Sequence, residues 1–164
     1  MHAFIERLAG RIEQAETHSI ADSLADAGEI LRMWRFFKGN PSSLSDIERR
    51  ARSEETDLPP VASDDIDLLK RALVVFVERH PQHTQMSGAV HALYCLAAPD
   101  TKGLLVSVLR DCIGRDSAAL YQTILALEAL GDNLYGSRSS TSVEEVDRNE
   151  KVARDYLKSS SATH

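Results

Sequence analysis

The sequence predicts an all-α fold of about eight helices, in which an irregular N-terminal bundle leads into short, repeated helical hairpins. Apolar residues recur at helical spacing along most of the chain. No segment shows the period-2 alternation of a half-buried strand. Two sets of residues in the second half are 34 positions apart, namely Ala92, Leu93 and Leu96, and then Ala126, Leu127 and Leu130. A period of this length with two helices per unit is typical of helical repeat arrays.

The outer helices of the predicted hairpins repeat as well, at an offset of 36 positions. The matched residues are Asp64, Leu68, Leu69, Leu73 and Val77, and then Asp100, Leu104, Leu105, Leu109 and Ile113. In such arrays each unit buries its apolar stripe against its neighbours. The run Leu73–Val77 is β-prone in isolation, but it lies between helix start and stop signals and is predicted to be helical.

Length and composition favour one globular domain over residues 1–164, with 43% hydrophobic and 27% charged residues. We expect an N-terminal helical subdomain over 1–53 and a helical-repeat subdomain over 64–158. The polar segment Glu54–Ser63, which contains Pro59 and Pro60, is predicted to be the loop between them.

Capping residues and helix breakers place the predicted helices. Helix one covers about His2–Glu16, and helix two covers Ile20–Lys38 and stops at Gly39. A capping box at Ser45 and Glu48 predicts a short helix to about Ser53. The repeat helices are predicted at Asp64–His80 with Ser63 as N-cap, at Thr84–Ala98, from an Asp100 cap to Gly114, and from an Asp116 cap to Gly131. A Gly/Ser-rich loop over Asn133–Thr141 and a second capping box at Ser142 and Glu145 precede a last helix to about Lys158.

The segment Ala89–Gly131 resembles the HEAT and armadillo superfamily of helical repeats. It carries Ala-Leu-x-x-Leu on an inner helix, a short Pro or Asp turn, and Leu-Leu on an outer helix. The resemblance covers about Asp64–Leu157 and implies an extended binding surface. By size, charge and fold class the chain is also similar to some bacterial immunity proteins, which bind and block a cognate toxin domain. That second similarity rests on class alone and has no diagnostic motif.

The charge and the cysteines restrict the classes of partner and compartment. A net charge of −6 and a pI near 5.5 disfavour a broad nucleic-acid interface and are compatible with a basic protein partner, although the same charge also maintains solubility. The one basic run, Arg49–Arg52, has no accompanying aromatic residues. Two cysteines in apolar helical stretches indicate a reducing cytoplasm. We expect no signal peptide in Met1–Gly10 and no membrane contact.

The residues that could form a metal site or a catalytic site are better explained by structural roles. His80, His83 and His91 are the closest histidine cluster, but no Cys or carboxylate completes a metal site. Cys95 lies four residues after His91 on one helix face, within an apolar run that favours a packed thiol. Phosphate-binding glycine motifs are absent from the sequence. We therefore expect a non-enzymatic protein without metal or cofactor.

A protein-binding surface is predicted on the inner helices and in the loop that follows them. The expected contact residues are His91, Tyr94, Tyr121, Glu128, Asp132 and Tyr135. Tyrosine with acidic neighbours on such a face is a plausible binding patch, because tyrosine supplies contact area at low entropic cost. The leading hypothesis is an immunity-type inhibitor of a basic toxin domain, such as a nuclease. The alternative is a structural or adaptor helical-repeat subunit that acts through self-assembly or scaffold binding. The sequence leaves the oligomeric state open.

Overall fold

The computed structural model describes residues 3–15, 17–37, 61–136 and 142–161, and in these residues it contains seven α-helices and no strand. The predicted all-α class is therefore confirmed. The helices are α1 (Ala3–Glu13), α2 (Ile20–Phe37), α3 (Ser63–Arg79), α4 (Met86–Leu96), α5 (Lys102–Cys112), α6 (Ser117–Ala129) and α7 (Val146–Ser161). The stop at Gly39, the short helix to Ser53, the basic run Arg49–Arg52 and most of the predicted inter-subdomain loop lie outside the described residues.

The helices form successive hairpins that stack in two layers. In the first layer, α4 packs against α2 on one side and against α6 on the other. In the second layer, α1 packs against α3, while α5 pairs with α6 to complete its hairpin. The last helix, α7, crosses both α6 and α5. The two helices that precede the predicted repeats thus stack on the repeats as one further hairpin.

The position of α4 at the centre follows from its sequence, MSGAVHALYCL, which is apolar on nearly every face. Two glycines allow it to approach α2 closely. A methyl group placed on Gly28 of α2 would lie 3.6 Å from the Cα of Ala92, and one placed on Gly88 of α4 would lie 3.5 Å from Leu24 Cδ1. Each helix therefore contributes a glycine to the contact, with Gly28 of α2 against Ala92 of α4 and Gly88 of α4 against Leu24 of α2.

Most residues that occupy equivalent positions of the sequence period have equivalent burial, the exception being Val77, which is buried while its counterpart Ile113 is half-buried. Ala92 and Leu93 on α4 are buried, as are Ala126 and Leu127 on α6. The outer helices behave in the same way, with Leu69, Leu73, Leu105 and Leu109 all buried, and with Leu68 and Leu104 half-buried. The period thus marks the same packing position in successive hairpins.

Several helix ends differ from the sequence prediction. The helix predicted over His2–Glu16 ends at Glu13, because Ala15 takes a left-handed conformation with φ 49°. The helix predicted over Thr84–Ala98 begins at Met86 and ends at Leu96, because Ala97 is left-handed with φ 50°. Its neighbour begins at Lys102 because Pro99–Thr101 forms a 3-10 turn, in which the Thr101 hydroxyl donates to the Ala98 carbonyl over 2.7 Å. Asp100 does not cap α5 and pairs with Lys70 instead.

For the remaining helices, some of the predicted caps are confirmed and others are wrong. Asp116 caps α6 as predicted, accepting the Ala119 N–H over 2.9 Å. Ser63 is not the cap of α3. Ala62 occupies that position, and the buried Asp65 carboxylate accepts the Ala62 N–H over 3.0 Å. The predicted box at Ser142 and Glu145 forms a turn, with the Glu145 N–H donating to the Ser142 carbonyl, so α7 begins at Val146 and extends to Ser161.

Substitutions at Gly28 test the close contact between α2 and α4. Gly28→Ala should raise the free energy of unfolding by about 0.5–1 kcal/mol, because it removes a helical glycine and its methyl group meets only ordinary van der Waals contacts. Gly28→Leu should lower it by about 1–3 kcal/mol, because the larger side chain forces the helices apart. Urea denaturation followed by circular dichroism measures both. Gly103, where an added Cβ meets nothing within 4 Å, is the matched control for both substitutions. Equal stability of Gly28→Leu and Gly28→Ala would contradict the packing described.

Candidate functional site

The first candidate site is a polar patch on the exposed edge of the first layer, formed by His91 and Tyr94 of α4 and Gln122 of α6. We call it the α4–α6 patch. His91 Nδ1 lies 3.3 Å from Gln122 Oε1, and the His91 and Tyr94 rings are 5.8 Å apart between centroids. Arg35 of α2 donates to the Tyr94 carbonyl over 3.3 Å. All three helices of the layer thus contribute to one surface.

The patch exists because the otherwise apolar α4 leaves His91 exposed. Tyr94, one turn further on, is half-buried, and so are Tyr121 and Gln122 on α6. Of the contact residues predicted from sequence, the structure brings His91 and Tyr94 together directly, with Tyr121 on the neighbouring helix. Arg35 was missed by sequence reasoning, because 25 residues separate α2 from α3 and interrupt the period that would have aligned α2 with α4.

Cys95 lies behind the patch, with its Sγ 3.6 Å from His91 Nε2. Thiol, imidazole and the Gln122 amide therefore form a chain that has the order of a nucleophile, a base and an orienting group. Cys95 is only 5% exposed, however, and burial raises the pKa of its thiol. A nucleophilic cysteine needs the opposite, a stabilised thiolate that a substrate can reach. The arrangement is that of a packed thiol.

The other three predicted contact residues lie at the C-terminal end of α6, where a helix cap directs them inward. The N–H of Gly131 donates to the Glu128 carbonyl over 2.9 Å, and that of Asp132 donates to the Leu127 carbonyl over 3.2 Å. These two bonds form a Schellman motif. It requires a left-handed residue, and Gly131 takes φ 94° at no steric cost. The chain turns back over α6 at this point, and the helix ends at Ala129, close to the end at Gly131 that the sequence predicts.

Asp132 joins this turn to α5 and α7. Its carboxylate accepts one bond from Lys102 Nζ over 2.7 Å and one from the Tyr156 hydroxyl over 2.9 Å. Burial, reinforced by the hydrogen bond to Asp132, raises the pKa of Tyr156. The hydrogen bond to Asp132 also raises the pKa of Lys102. Lys102 and Tyr156 thus keep their protons at neutral pH and remain hydrogen-bond donors to the Asp132 carboxylate.

Glu128 and Tyr135 close the same turn from the other side. Glu128 Oε1 accepts the Tyr135 N–H over 2.9 Å, and the Tyr135 hydroxyl donates to Asn149 Oδ1 over 2.6 Å. Tyr135 is only 7% exposed, and the guanidinium of Arg148 lies 5.4 Å from the centre of its ring. Glu128, Asp132 and Tyr135 thus make intramolecular contacts, and Tyr135 offers little surface to a partner.

The histidines considered as metal ligands have other partners. His80 and His83 pack against Phe76, with ring centroids 5.4 and 5.1 Å from it. His83 Nδ1 also accepts the Gln85 N–H over 3.0 Å. Within residues 3–15, 17–37, 61–136 and 142–161, no three His, Cys, Asp or Glu side chains are arranged to hold a metal ion.

A second candidate site, which sequence reasoning missed, is a groove of about 550 Å³ between α3 and α5. We call it the α3–α5 groove. Its floor is aliphatic and its rim carries charged side chains. The sequence shows that each helix has an apolar face, but the groove depends on the spacing between two helices that are distant in sequence.

Thiol reactivity tests whether Cys95 is a packed thiol or an activated nucleophile. At neutral pH, both Cys95 and Cys112 should react with iodoacetamide at least about tenfold more slowly in the folded protein than in urea, because burial raises the pKa of both thiols. Modification followed by mass spectrometry, with Cys95→Ser and Cys112→Ser to assign the sites, measures the rates. Fast alkylation of Cys95 in the folded protein, well below the usual thiol pKa of 9.0, would instead indicate an activated nucleophile.

Alanine substitutions test whether Glu128 and Asp132 are structural. Glu128→Ala and Asp132→Ala should each lower the free energy of unfolding by about 1 kcal/mol, because each leaves a hydrogen-bond donor of the turn without its acceptor. Asp155→Ala is the control, since its pair with Lys151 is solvent-exposed and 3.6 Å long, and it should change stability by less than about 0.5 kcal/mol. Urea denaturation provides the measurement. If both test variants were as stable as the wild type, these two residues would have no structural role and would be available for contact with a partner.

In the part of the chain that the structure describes, no helix combines the length and the apolar composition needed to cross a membrane. Among family models, curated proteins and solved structures, none matches the chain.

Proposed function

We propose that this protein is a non-enzymatic protein-binding module of the HEAT-like repeat class, and that it acts as an immunity-type inhibitor that covers a basic toxin domain, for example a nuclease. The observation that carries the proposal is the α4–α6 patch. Stacked hairpins present the edges of successive helices side by side, which is how helical repeat proteins make extended binding surfaces.

The contacts within the patch favour binding. His91 is fixed by Gln122 on one ring nitrogen and by Cys95 on the other side, while its ring packs near Tyr94. Side chains held in place before association lose less conformational entropy when a partner arrives. Tyrosine and histidine rings then offer apolar area together with a hydrogen-bonding group. The patch is therefore suited to recognise a folded protein surface.

Net charge supports a basic partner. The chain carries a charge of −6, which accelerates association with a cationic surface and disfavours association with nucleic acid. A toxin that acts on nucleic acid needs a basic substrate site, so an acidic protein that covers this site would block the substrate. The affinity of such a complex should fall as salt is raised.

The proposal assigns no chemistry to Cys95, because burial keeps its thiol protonated. It places the protein in the cytoplasm, since Cys95 and Cys112 are free, buried thiols. It also moves the expected interface away from Glu128, Asp132 and Tyr135, whose polar groups bind within the chain.

Affinity capture with the tagged full-length protein, at low and at moderate salt, tests the function. The expected result is one basic protein in stoichiometric amount, whose expression is toxic and whose toxicity is suppressed by this protein. His91→Ala and Tyr94→Ala should each weaken the complex at least about fivefold, since central interface residues dominate binding. Lys158→Ala, an exposed substitution on α7, is the control.

Two results would contradict the proposal that this protein is an inhibitor. A captured protein that is harmless when expressed alone would show that the chain is not an immunity protein. Recovery of the chain alone, with a melting temperature that rises with protein concentration, would favour the alternative function, a structural or adaptor subunit that self-assembles.

A further inference from the structure

We propose that the α3–α5 groove binds an amphipathic segment of the protein partner, one that carries aliphatic side chains flanked by Lys or Arg. The inference rests on the proposed function, because the occupant belongs to the protein that this chain binds. It adds a second interface, on the opposite layer from the α4–α6 patch, and it specifies the chemistry of what enters.

The floor of the groove is aliphatic. Val77, Met86 and Val108 form its buried base, with 2%, 1% and 6% of their surface exposed. The half-buried side chains of Val74 and Leu104 line it above them. A volume of about 550 Å³ lies within the range of pockets that enclose ligands. The half-buried Val74 and Leu104 still expose apolar surface, so covering them with further aliphatic groups is favourable.

The groove is open because the two layers pack differently. In the first layer, α4 and α6 are in close contact, whereas α3 and α5 approach each other much less closely. On α5, Gly103 and Ser107 lie one turn apart and both line the groove. A Cβ added to Gly103 would meet nothing within 4 Å. The described side chains of this protein therefore leave space between the two helices.

The rim of the groove is predominantly negative. Glu78 and Asp111 line it near the C-terminal ends of α3 and α5, and neither makes an ion pair with another described residue. The C-terminal ends of the two helix dipoles add partial negative charge. Asp100 is already paired with Lys70, over 2.7 Å.

Among the described residues that line the groove, Arg115 is the one cationic side chain, and it donates to the Pro81 carbonyl over 2.7 Å. With Asp100 paired to Lys70, the carboxylates of Glu78 and Asp111 thus line the groove together with one guanidinium. An incoming cation near Glu78 or Asp111 would gain attraction without displacing an existing ion pair. A second copy of this acidic chain is a poorer occupant, since both molecules carry a net charge of −6.

A random peptide display library, selected against the full-length protein, provides the probe. The expected outcome is enrichment of peptides with aliphatic residues flanked by Lys or Arg, and the best of these is then synthesised. Its affinity should fall at least about tenfold for Ser107→Trp, which fills the groove, and for the double variant Glu78→Lys/Asp111→Lys, which reverses the rim. Lysine near a helix C-terminus is favourable, so the double variant should fold.

Matched controls separate local from general effects. Ala25→Trp adds the same aromatic group to an exposed position of α2, and Glu144→Lys/Asp155→Lys changes the net charge by the same amount away from the groove. Both should bind the peptide within about twofold of the wild type. Circular dichroism of every variant verifies folding.

Three outcomes would overturn the inference. The first is the absence of enriched peptides, or enrichment of acidic or uncharged ones. The second is equal binding to wild type and to both groove variants, and the third is a dimer that Ser107→Trp disrupts, which would assign the groove to a second copy. If a captured toxin binds both groove variants as tightly as the wild type, the inference about the groove is wrong, while the proposed inhibitor function is still supported. If no partner is captured, the proposed inhibitor function is wrong. The peptide measurements then still decide whether the groove binds an amphipathic basic segment.

Discussion

The burial of α4 between α2 and α6 is the constraint on which the rest of the structure depends. A helix that is apolar on almost every face must be covered from several directions, and three neighbouring helices cover it. Small residues make the contact close, since Gly28 lies against Ala92 and Gly88 lies against Leu24. Helices that approach through glycine and alanine bring their backbones nearer than leucine-lined helices can.

Both candidate surfaces follow from this packing. Where α4 meets the solvent it exposes His91, which then bonds to Gln122 on the adjacent helix and creates the α4–α6 patch. On the other layer, α3 and α5 approach each other less closely, the small residues Gly103 and Ser107 line the space between them, and the α3–α5 groove results. One face is thus polar and fixed by hydrogen bonds, while the other is aliphatic with an acidic rim. These are the two surfaces that we propose for contact with a protein partner.

The C-terminal end of α6 shows how a helix cap can divert polar residues from an expected interface. Gly131 closes a Schellman motif, and the reversed chain carries Asp132 to Lys102 and Tyr156. Glu128 and Tyr135 complete the same connection, which anchors α7 against α6. Charged and aromatic residues in a surface loop are often associated with binding. Here Glu128, Asp132 and Tyr135 instead form hydrogen bonds within the chain.

The sequence by itself determined the helical class, the Asp116 cap, the end of α6 near Gly131 and the equivalent positions of α4 and α6, because each depends on residues close in the chain or on a regular period. Helix ends at Ala15 and Ala97 were not predictable, because alanine rarely takes a left-handed conformation and gives no signal for it. Tertiary structure alone decided that α2 stacks on α4, that Asp132 faces Lys102, and that a groove separates α3 from α5. Each depends on contacts between segments that are distant in sequence, and a hydrophobic pattern specifies which face of a helix is buried but not which neighbour covers it.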